Sequence, residues 1–193
     1  MQPDLFGPKA VTLPEGMRHA DDVLSVDKER ALIAALQPLD FREFEFRGYL
    51  GKRRTVSFGW RYSFTEHRLG AADPFPAFLL PVRERAAAFA GLSPDDLPHV
   101  LVTEYAAGAA IGWHRDRPQF GDVIGISLGA PCRFRLRRAR GDGWERVAIL
   151  LQPRSIYLLR GLSRTEWEHS IPPVDALRYS ITFRTLRAAT PDR

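Results

Sequence analysis

The chain is organised around the stretch Trp113-His114-Arg115-Asp116, in which a histidine and an aspartate stand two residues apart. In extended backbone, side chains two positions apart leave the same face of the strand. One neutral imidazole and one carboxylate on a single face supply two ligands for a divalent metal. They make up two members of a 2-His-1-carboxylate triad, which leaves coordination positions open on Fe(II). A His-x-Asp pair also arises by chance, so the metal site depends on a third ligand.

Further along the chain, His169 supplies the third candidate ligand, in Trp167-Glu168-His169-Ser170. Several expected strands separate it from His114, and a jelly roll can bring two such positions together. We expect the remaining histidines to be surface or structural residues: His19, His67 and His99.

From His99 onward the pattern is almost wholly that of β-strands. Clusters of glycine, proline and aspartate separate several short apolar runs, which is typical of a sandwich or a jelly roll. The expected strands lie near 99–105, 122–129, 133–138, 145–151, 154–160 and 178–187. The C-terminal half therefore predicts a β core.

The last of these strands carries polar residues at every second position, Arg178, Ser180, Thr182 and Arg184. If this face points into the barrel, two guanidinium groups are buried and need anionic partners. A dicarboxylate is a natural partner, because the guanidinium fork matches a carboxylate. The two Cα atoms would lie roughly 20 Å apart on a straight strand, so the side chains must lean together to reach one small molecule. The alternative is an exposed polar face.

The N-terminal half mixes helical and strand signals. Residues 1 to about 20 predict an irregular arm, and Ser25 can cap a helix that begins near Asp27 and stops at Pro38. A second helix is expected over 79–90, because its apolar residues fall at helical spacing. The fold class is therefore α+β, mainly β, with a helical and partly β N-terminal half packed on a β core in one domain.

An aromatic stripe precedes the second helix. Phe44 and Phe46 indicate a short strand, residues 48–52 a turn, and the next strand has an apolar residue at every second position: Val56, Phe58, Trp60, Tyr62 and Phe64. Beside Arg53 and Arg54, such a face could stack bases and hold phosphates. The alternative is a strand with one face on the core.

Composition limits the class of protein. The 193 residues are 45% apolar, no apolar run approaches the roughly 18 residues of a membrane helix, and no signal peptide is visible. The single Cys132 cannot form an internal disulfide, so we expect a cytoplasmic protein without a membrane partner. A net charge of +5 favours a polyanionic partner, although a solvated basic surface explains it equally well.

Together, several motifs resemble the AlkB family of Fe(II)- and 2-oxoglutarate-dependent oxygenases. The motifs are Tyr105-x-x-Gly108-x-x-Ile111-x-x-His114-x-Asp116, Ser127-Leu128-Gly129, Gly161-x-x-Arg164-x-x-Trp167-x-His169 and Arg178-x-Ser180-x-Thr182-x-Arg184. The resemblance implies a double-stranded β-helix (jelly roll) core over about 99–187 and a β nucleotide-recognition lid over about 41–66. Both belong to a single dioxygenase domain over 1–193.

The resemblance also implies roles for individual residues. His114, Asp116 and His169 match the iron ligands. The positions that match cosubstrate-binding residues are Arg178 for the distal carboxylate of 2-oxoglutarate, Tyr105 beside it, Arg184 nearer the iron, and Thr103 and Ser180 where many members have asparagine. The positions that match base-handling or duplex-gripping residues are Tyr62, Phe64, Phe46, Tyr49, Arg53 and Arg54.

The implied activity is oxidative dealkylation of N-alkylated bases with Fe(II), 2-oxoglutarate and O2, releasing formaldehyde, succinate and CO2. A base in a duplex must first be flipped out. We expect a monomer that acts on nucleic acid, DNA ahead of RNA. Pro118 stands where repair members often carry an acidic residue, and Asp122 or Gln119 could substitute. The alternatives are an RNA (tRNA) or protein oxygenase of the same family, or a non-catalytic nucleic-acid-binding module.

Overall fold

A computed structural model describes residues 11–46, 49–63, 68–71 and 73–187 of the chain. The helices are α1 (Val26–Leu36), α2 (Leu80–Ala90) and the single turn α3 (Leu162–Thr165), with short 3-10 turns at Ala77–Leu79 and Pro94–Asp96. The strands of the N-terminal half are β1 (Met17–Ala20), β2 (Arg42–Phe46), β3 (Tyr49–Phe58), β4 (Trp60–Ser63) and β5 (Arg68–Ala71). The remaining strands are β6 (His99–Tyr105), β7 (Ile111–His114), β8 (Phe120–Gly129), β9 (Cys132–Arg140), β10 (Gly143–Leu151), β11 (Ile156–Leu159), β12 (Glu168–Ile171) and β13 (Arg178–Leu186).

Two antiparallel sheets form the body of the molecule. The larger has the order β1-β11-β8-β13-β6-β3-β2, the smaller has the order β10-β9-β12-β7, and β4 pairs with β5 separately. One apolar cluster joins the larger sheet to α1 and α2, and a second joins the inner faces of the two sheets. This layered, mainly β architecture confirms the predicted jelly-roll core with helices from the N-terminal half.

The two predicted helices have the expected ends. The Ser25 hydroxyl accepts a hydrogen bond from the Lys28 backbone N–H at 3.3 Å, which caps the first turn of α1. Helix α2 ends at Gly91, whose φ of 67° is the left-handed conformation that favours glycine. Among the residues that the structure describes, no helix has the length and apolar character needed to span a membrane.

Three local predictions from the N-terminal half are wrong. The expected irregular arm contains β1, whose residues pair with β11 and so extend the larger sheet. The expected turn over 48–52 gives way to a strand, since β3 already begins at Tyr49. The aromatic stripe is broken at Gly59, where φ is 82° and an added Cβ would overlap the Pro98 carbonyl oxygen. The expected single strand is therefore two strands, β3 and β4, which belong to different sheets, and Phe64 lies outside the described residues.

The smaller sheet brings two distant parts of the sequence together. Strands β7 and β12 pair antiparallel, with His114 directly opposite His169. A bulge follows, because Ile111 pairs with Ile171 and the two strands differ by one residue over this interval. These two four-residue strands were not among the predicted ones, yet they carry the histidines of the candidate metal site.

Candidate active site

The two candidate histidine ligands stand side by side on the inner face of the smaller sheet. The ring centroids of His114 and His169 are 4.2 Å apart. The Nδ1 atom of His114 lies 2.9 Å from the Gly112 carbonyl oxygen, which can only accept. Nδ1 therefore carries the proton of the neutral ring, and the lone pair is left on Nε2 for a metal. His169 is buried against Phe134, with 5.3 Å between ring centroids.

Asp116 completes the trio and is held by an arginine from the larger sheet. Its Oδ2 lies 3.7 Å from Nε2 of His169, while Nε and Nη2 of Arg184 each lie 2.7 Å from Oδ1. The Asp116 side chain is 6% exposed, so the Arg184 bonds orient a carboxylate that is screened from water.

The protonation states of the trio suit metal ligation. Burial lowers the pKa of His169 to about 3, and burial also lowers the pKa of His114. Burial would raise the pKa of Asp116, but the positive charge of Arg184 holds it well below its usual range. Two neutral imidazoles and one carboxylate are the forms in which these side chains bind a cation. The donor set therefore fits a divalent metal.

The trio is adjacent but does not form a ready-made coordination shell. Across the described ranges, no three histidine, cysteine, aspartate or glutamate side chains stand in an arrangement that could hold a metal ion as they are. Asp116 turns one oxygen to Arg184 instead. Metal binding therefore requires these side chains to rotate. The Asp116 carboxylate can then bind a cation while it still accepts hydrogen bonds from Arg184.

A second set of polar groups surrounds Arg178, which is fully buried. Its Nε donates to the Ser127 hydroxyl at 3.2 Å, and its guanidinium carbon lies 4.9 Å from the centre of the Tyr105 ring. The Nη1 atom has no hydrogen-bond partner among the described residues. Because an unpaired buried charge is unfavourable, this N–H fits the carboxylate of a bound anion.

A row of hydroxyl groups lies between the two arginines of β13. In the register of the larger sheet, Thr103 stands opposite Ser180, and Ser180 stands opposite Ser127. All three are buried, so the polar face of β13 points into the barrel and the alternative of an exposed face is excluded. The two arginines differ in their partners, since Arg184 is bound to Asp116 while Arg178 retains an N–H without a partner among the described residues.

His99, expected to be a surface or structural residue, lies next to Arg184. It is buried, stands directly opposite Arg184 in the β6–β13 pairing, and its Nδ1 lies 3.5 Å from Nη1 of that arginine. Burial and the neighbouring Arg184 charge lower its pKa to about 3, so the ring is neutral. The period-two alternation from Thr103 and Tyr105 back to His99 is the signal that could have placed it on this face.

Two further residues had no role assigned from the sequence, although Arg164 is part of the motif that ends at His169. Tyr157 is buried and lies directly opposite Gly125, where an added Cβ would overlap its ring. A glycine inside a strand is the signal for such a close approach. Arg164 donates to the carbonyl oxygens of Arg117, Phe120 and Gly121 at 2.7 to 2.9 Å, and so fixes the segment after Asp116.

The predicted substrate residues are only partly described. Arg53 stands opposite Tyr105 on the barrel side of β3, and its charge acts on His114. Arg54 points to the other side, where Nη2 lies 2.7 Å from the Glu104 carboxylate, so the structure does not bring it to the metal donors. Phe46, Tyr49 and Tyr62 lie in β2, β3 and β4, with side chains outside the described part, and Phe64 lies outside the described residues altogether.

Asp122 and Gln119, the two residues that could substitute for the acidic residue absent at position 118, differ in their polar contacts. Asp122 is paired with Arg160, whose Nη2 lies 2.6 Å from Oδ2. Gln119 has a buried amide oxygen without a hydrogen-bond partner in the described ranges. Of the two, Gln119 therefore retains an acceptor that a substrate N–H could use.

Comparison with known proteins agrees with this geometry. The family model described as 2OG-Fe(II) oxygenase superfamily matches residues 16–184. The chain belongs to this superfamily, whose members use Fe(II), 2-oxoglutarate and O2, and residues 16–184 form an Fe(II)/2-oxoglutarate-dependent dioxygenase domain. The solved structure of OsALKBH1 shares the fold, with a TM-score of 0.71, 18% identity, and coverage of 90% of this chain and 98% of that chain.

Curated relatives confirm the resemblance to the AlkB family. An "Alkylated DNA repair protein ALKBH8 homolog" of Arabidopsis thaliana is 28% identical, over 86% of this chain and 54% of its own length. The "Alpha-ketoglutarate-dependent dioxygenase AlkB" of Salmonella typhimurium is 34% identical, over 51% of this chain and 49% of its own length. The "tRNA (carboxymethyluridine(34)-5-O)-methyltransferase alkbh8" of Xenopus tropicalis is 26% identical, over 84% of this chain and 26% of its own length. The chain thus spans about half the length of the first two relatives.

Proposed function

We propose that this chain oxidatively removes alkyl groups from N-alkylated bases of nucleic acid, with DNA as its first substrate. The observation that carries the proposal is the pair of buried polar sets inside the barrel. One is the donor trio His114, Asp116 and His169, and the other is Arg178 with its unpartnered N–H. The first set suits Fe(II), and the second suits a carboxylate of 2-oxoglutarate.

The residues of the barrel then have distinct tasks. When bound, Fe(II) and 2-oxoglutarate would supply, together with O2, the oxidant for a substrate C–H bond. Arg184 keeps Asp116 ionised and oriented, and Arg178 with Tyr105 binds the distal carboxylate. An N-methyl group oxidised to hydroxymethyl leaves as formaldehyde and restores the base, while 2-oxoglutarate becomes succinate and CO2.

Nucleic acid is the substrate class that the charge of the chain favours. A net charge of +5 attracts phosphates, and Arg53 lies on the barrel side of β3, where its charge acts on His114. In this proposal the segment of about 41–66 acts as a nucleotide-recognition lid over the core of about 99–187, within one domain. The unpartnered amide oxygen of Gln119 would accept a hydrogen bond from an exocyclic amino group of the target base.

RNA is the second candidate substrate. The relative from Xenopus tropicalis is named as a tRNA methyltransferase and matches 84% of this chain. The chain spans 26% of that protein, so the methyl-transfer activity in its name is not carried over. What the similarity supports is an oxidative reaction on a tRNA base as the alternative to DNA repair.

The proposal is tested by following formaldehyde and succinate together. The chain, loaded with Fe(II) and 2-oxoglutarate, is offered oligonucleotides with 1-methyladenine or 3-methylcytosine as single-stranded DNA, double-stranded DNA and RNA. Release of both products from DNA ahead of RNA supports the proposal, and the reverse order favours the RNA alternative. Succinate without formaldehyde would mean a working centre with a different substrate.

His114→Ala is the control for the metal site. This variant removes one proposed ligand, and we expect turnover to be lost while nucleic-acid affinity survives. Full turnover in the variant would rule out the proposed metal site. A chain that binds nucleic acid but yields no succinate with any substrate would instead be the non-catalytic binding module.

A further inference from the structure

The smaller sheet has an outer face that the proposed reaction does not use. Alternate residues of β9 are buried in the core between the sheets, so the residues between them point outward. We define the arginine face by its outward residues: Trp113 of β7, Arg133, Arg135 and Arg137 of β9, and Trp144 and Arg146 of β10. It is a sheet face with arginines at every second position.

Charge on this sheet is strongly unbalanced. Its four strands contain six arginines and two glutamates, Glu145 and Glu168. Glu145 binds Arg138, and Glu168 binds Nε of Arg137 at 2.7 Å. Arg146 and Arg137 are directly opposite in the β9–β10 pairing, and like charges in that position destabilise a sheet. An anion that binds across Arg137 and Arg146 relieves this repulsion between the two guanidinium groups.

Two tryptophans enclose one of the arginines. The guanidinium carbon of Arg137 lies 4.4 Å from the ring centroid of Trp113 and 4.1 Å from that of Trp144. These cation–π contacts and the Glu168 ion pair on Nε hold the guanidinium group in place. Arg135 is held in the same way, 5.1 Å from Trp113, with its Nε bonded to Ser170. The terminal nitrogens of both guanidinium groups have no partner among the described residues and can take a phosphate.

The face also offers a surface on which bases can stack. Trp144 is 42% exposed, although its ring already lies against Arg137. Exposed tryptophan beside ordered arginine is the combination with which single-stranded nucleic acid is bound without sequence preference. An acidic protein would use the charge of this face but has no need of the aromatic ring.

A cleft connects this face with the metal-donor segment. Its volume is about 350 Å³, and its lining includes Trp144, Glu168, Thr165 and Arg115. Arg115 stands between His114 and Asp116 in the chain, and its Nη1 donates to the Glu166 carbonyl oxygen at 3.3 Å. The cleft therefore lies beside the chain segment that carries His114, on the side of the smaller sheet opposite to the metal-donor side chains.

We propose that the arginine face binds the single strand of nucleic acid that flanks the target base. This inference rests on the proposed function, because the strand is the continuation of the substrate. It assigns phosphate contacts to Arg133, Arg135, Arg137 and Arg146 and a stacking contact to Trp144. These residues lie outside the barrel and outside the segment of about 41–66.

The test compares two variants that lose the same charge. Arg133→Ser with Arg146→Ser removes two exposed cations from the face, and the matched control, Arg30→Ser with Arg85→Ser, removes two exposed cations from α1 and α2. The probe is an unmodified, labelled 15-nucleotide single-stranded DNA, and binding to the full chain is measured by fluorescence anisotropy at several salt concentrations.

We expect the face variant to bind the probe roughly tenfold more weakly than the control. The slope of log affinity against log salt should fall by about 1.4, which is about 0.7 for each lost phosphate contact. Trp144→Ala should also weaken binding, and Trp144→Phe, which keeps an aromatic ring, should restore it. Equal affinities for the face variant and the control overturn the inference.

The same experiment separates this inference from the proposed function. Formaldehyde release by the unaltered chain from a methylated nucleoside, which has no flanking strand, reports on the proposed function alone. If that release occurs but the face variants bind the 15-nucleotide probe normally, only the arginine face is refuted. If no methylated substrate yields formaldehyde but the face variants bind weakly, the face stands and the proposed dealkylation fails.

Discussion

Arg184 holds the carboxylate of Asp116 through two charge-assisted hydrogen bonds, each 2.7 Å long and both to Oδ1. The arginine lies on the larger sheet and the aspartate follows a strand of the smaller one, so the bonds cross the barrel. Oδ2 is left on the side of His169. The two sheets are thus joined at the atom next to the proposed metal ligand.

Arg184→Gln should weaken metal binding. The variant leaves Asp116 in place but removes the cation that orients it, and loss of such a partner lowers metal affinity by about 10- to 100-fold. Calorimetric titration with Mn(II) measures this without turnover. Arg85→Gln, an exposed change on α2, is the matched control, and an affinity equal to that control would contradict the prediction.

Arg178→Gln should raise the 2-oxoglutarate requirement. The change removes a charge-assisted bond worth about 1.5–3 kcal/mol, which corresponds to a dissociation constant roughly 10- to 150-fold higher. Titration of intrinsic tryptophan fluorescence with 2-oxoglutarate gives the constant directly. Should the variant alter nucleic-acid affinity alone, the cosubstrate pocket has been misplaced.

The metal-free protein should lose stability as the pH falls from about 6.5. His99 and His169 have pKa values near 3 in the fold, against about 6.5 when unfolded, so below that pH the unfolded chain binds protons that the fold does not. Each such ring lowers the free energy of unfolding by up to about 1.4 kcal/mol per pH unit. The depressed pKa of Asp116 acts in the same direction only below about pH 4.

Urea denaturation between pH 7 and pH 4.5 measures this slope. His99→Gln has no titrating ring at that position and should show a shallower dependence than the unaltered chain. Identical slopes in the two proteins would show that His99 is protonated in the fold.

Gly125→Ala should disturb the barrel beside the proposed cosubstrate residues. The new Cβ overlaps the Tyr157 ring, and overpacking of this kind destabilises a fold by about 1–3 kcal/mol. Tyr157→Leu in the same chain removes the overlap, so the double variant should recover part of the loss. Chemical denaturation of both single variants and the double variant gives the coupling energy. Additive effects would show that the two residues do not press on each other.

The core strands could be predicted because each is short, apolar and bounded by turn residues. The expected strand over 99–105 coincides with β6, and the one over 178–187 with β13. Strands β7 and β12 could not be predicted, because each has only four residues and lacks the continuous apolar run of the equally short β11. Their pairing depends on His114 meeting His169 across the sheet, which is a tertiary contact.

The site was predictable as a set of residue types but not as a set of contacts. Alternation along β13 correctly placed Arg178 and Arg184 on one face. It could not show that Arg184 binds Asp116, since that bond joins two sheets. The role of Gly125 was hidden for the same reason, because only the pairing of β8 with β11 brings Tyr157 over it.

One N–H of Arg178 has no partner among the described residues, and it makes the stability of the folded chain depend on the concentration of an anion that binds there. A dicarboxylate that binds only the folded form adds stability that grows with the logarithm of its concentration, about 2.7 kcal/mol at one hundred times its dissociation constant. Differences of this size change the fraction of a protein that is open to proteases. If 2-oxoglutarate is the dicarboxylate at Arg178, as proposed, its scarcity shortens the lifetime of the protein as well as slowing the proposed reaction.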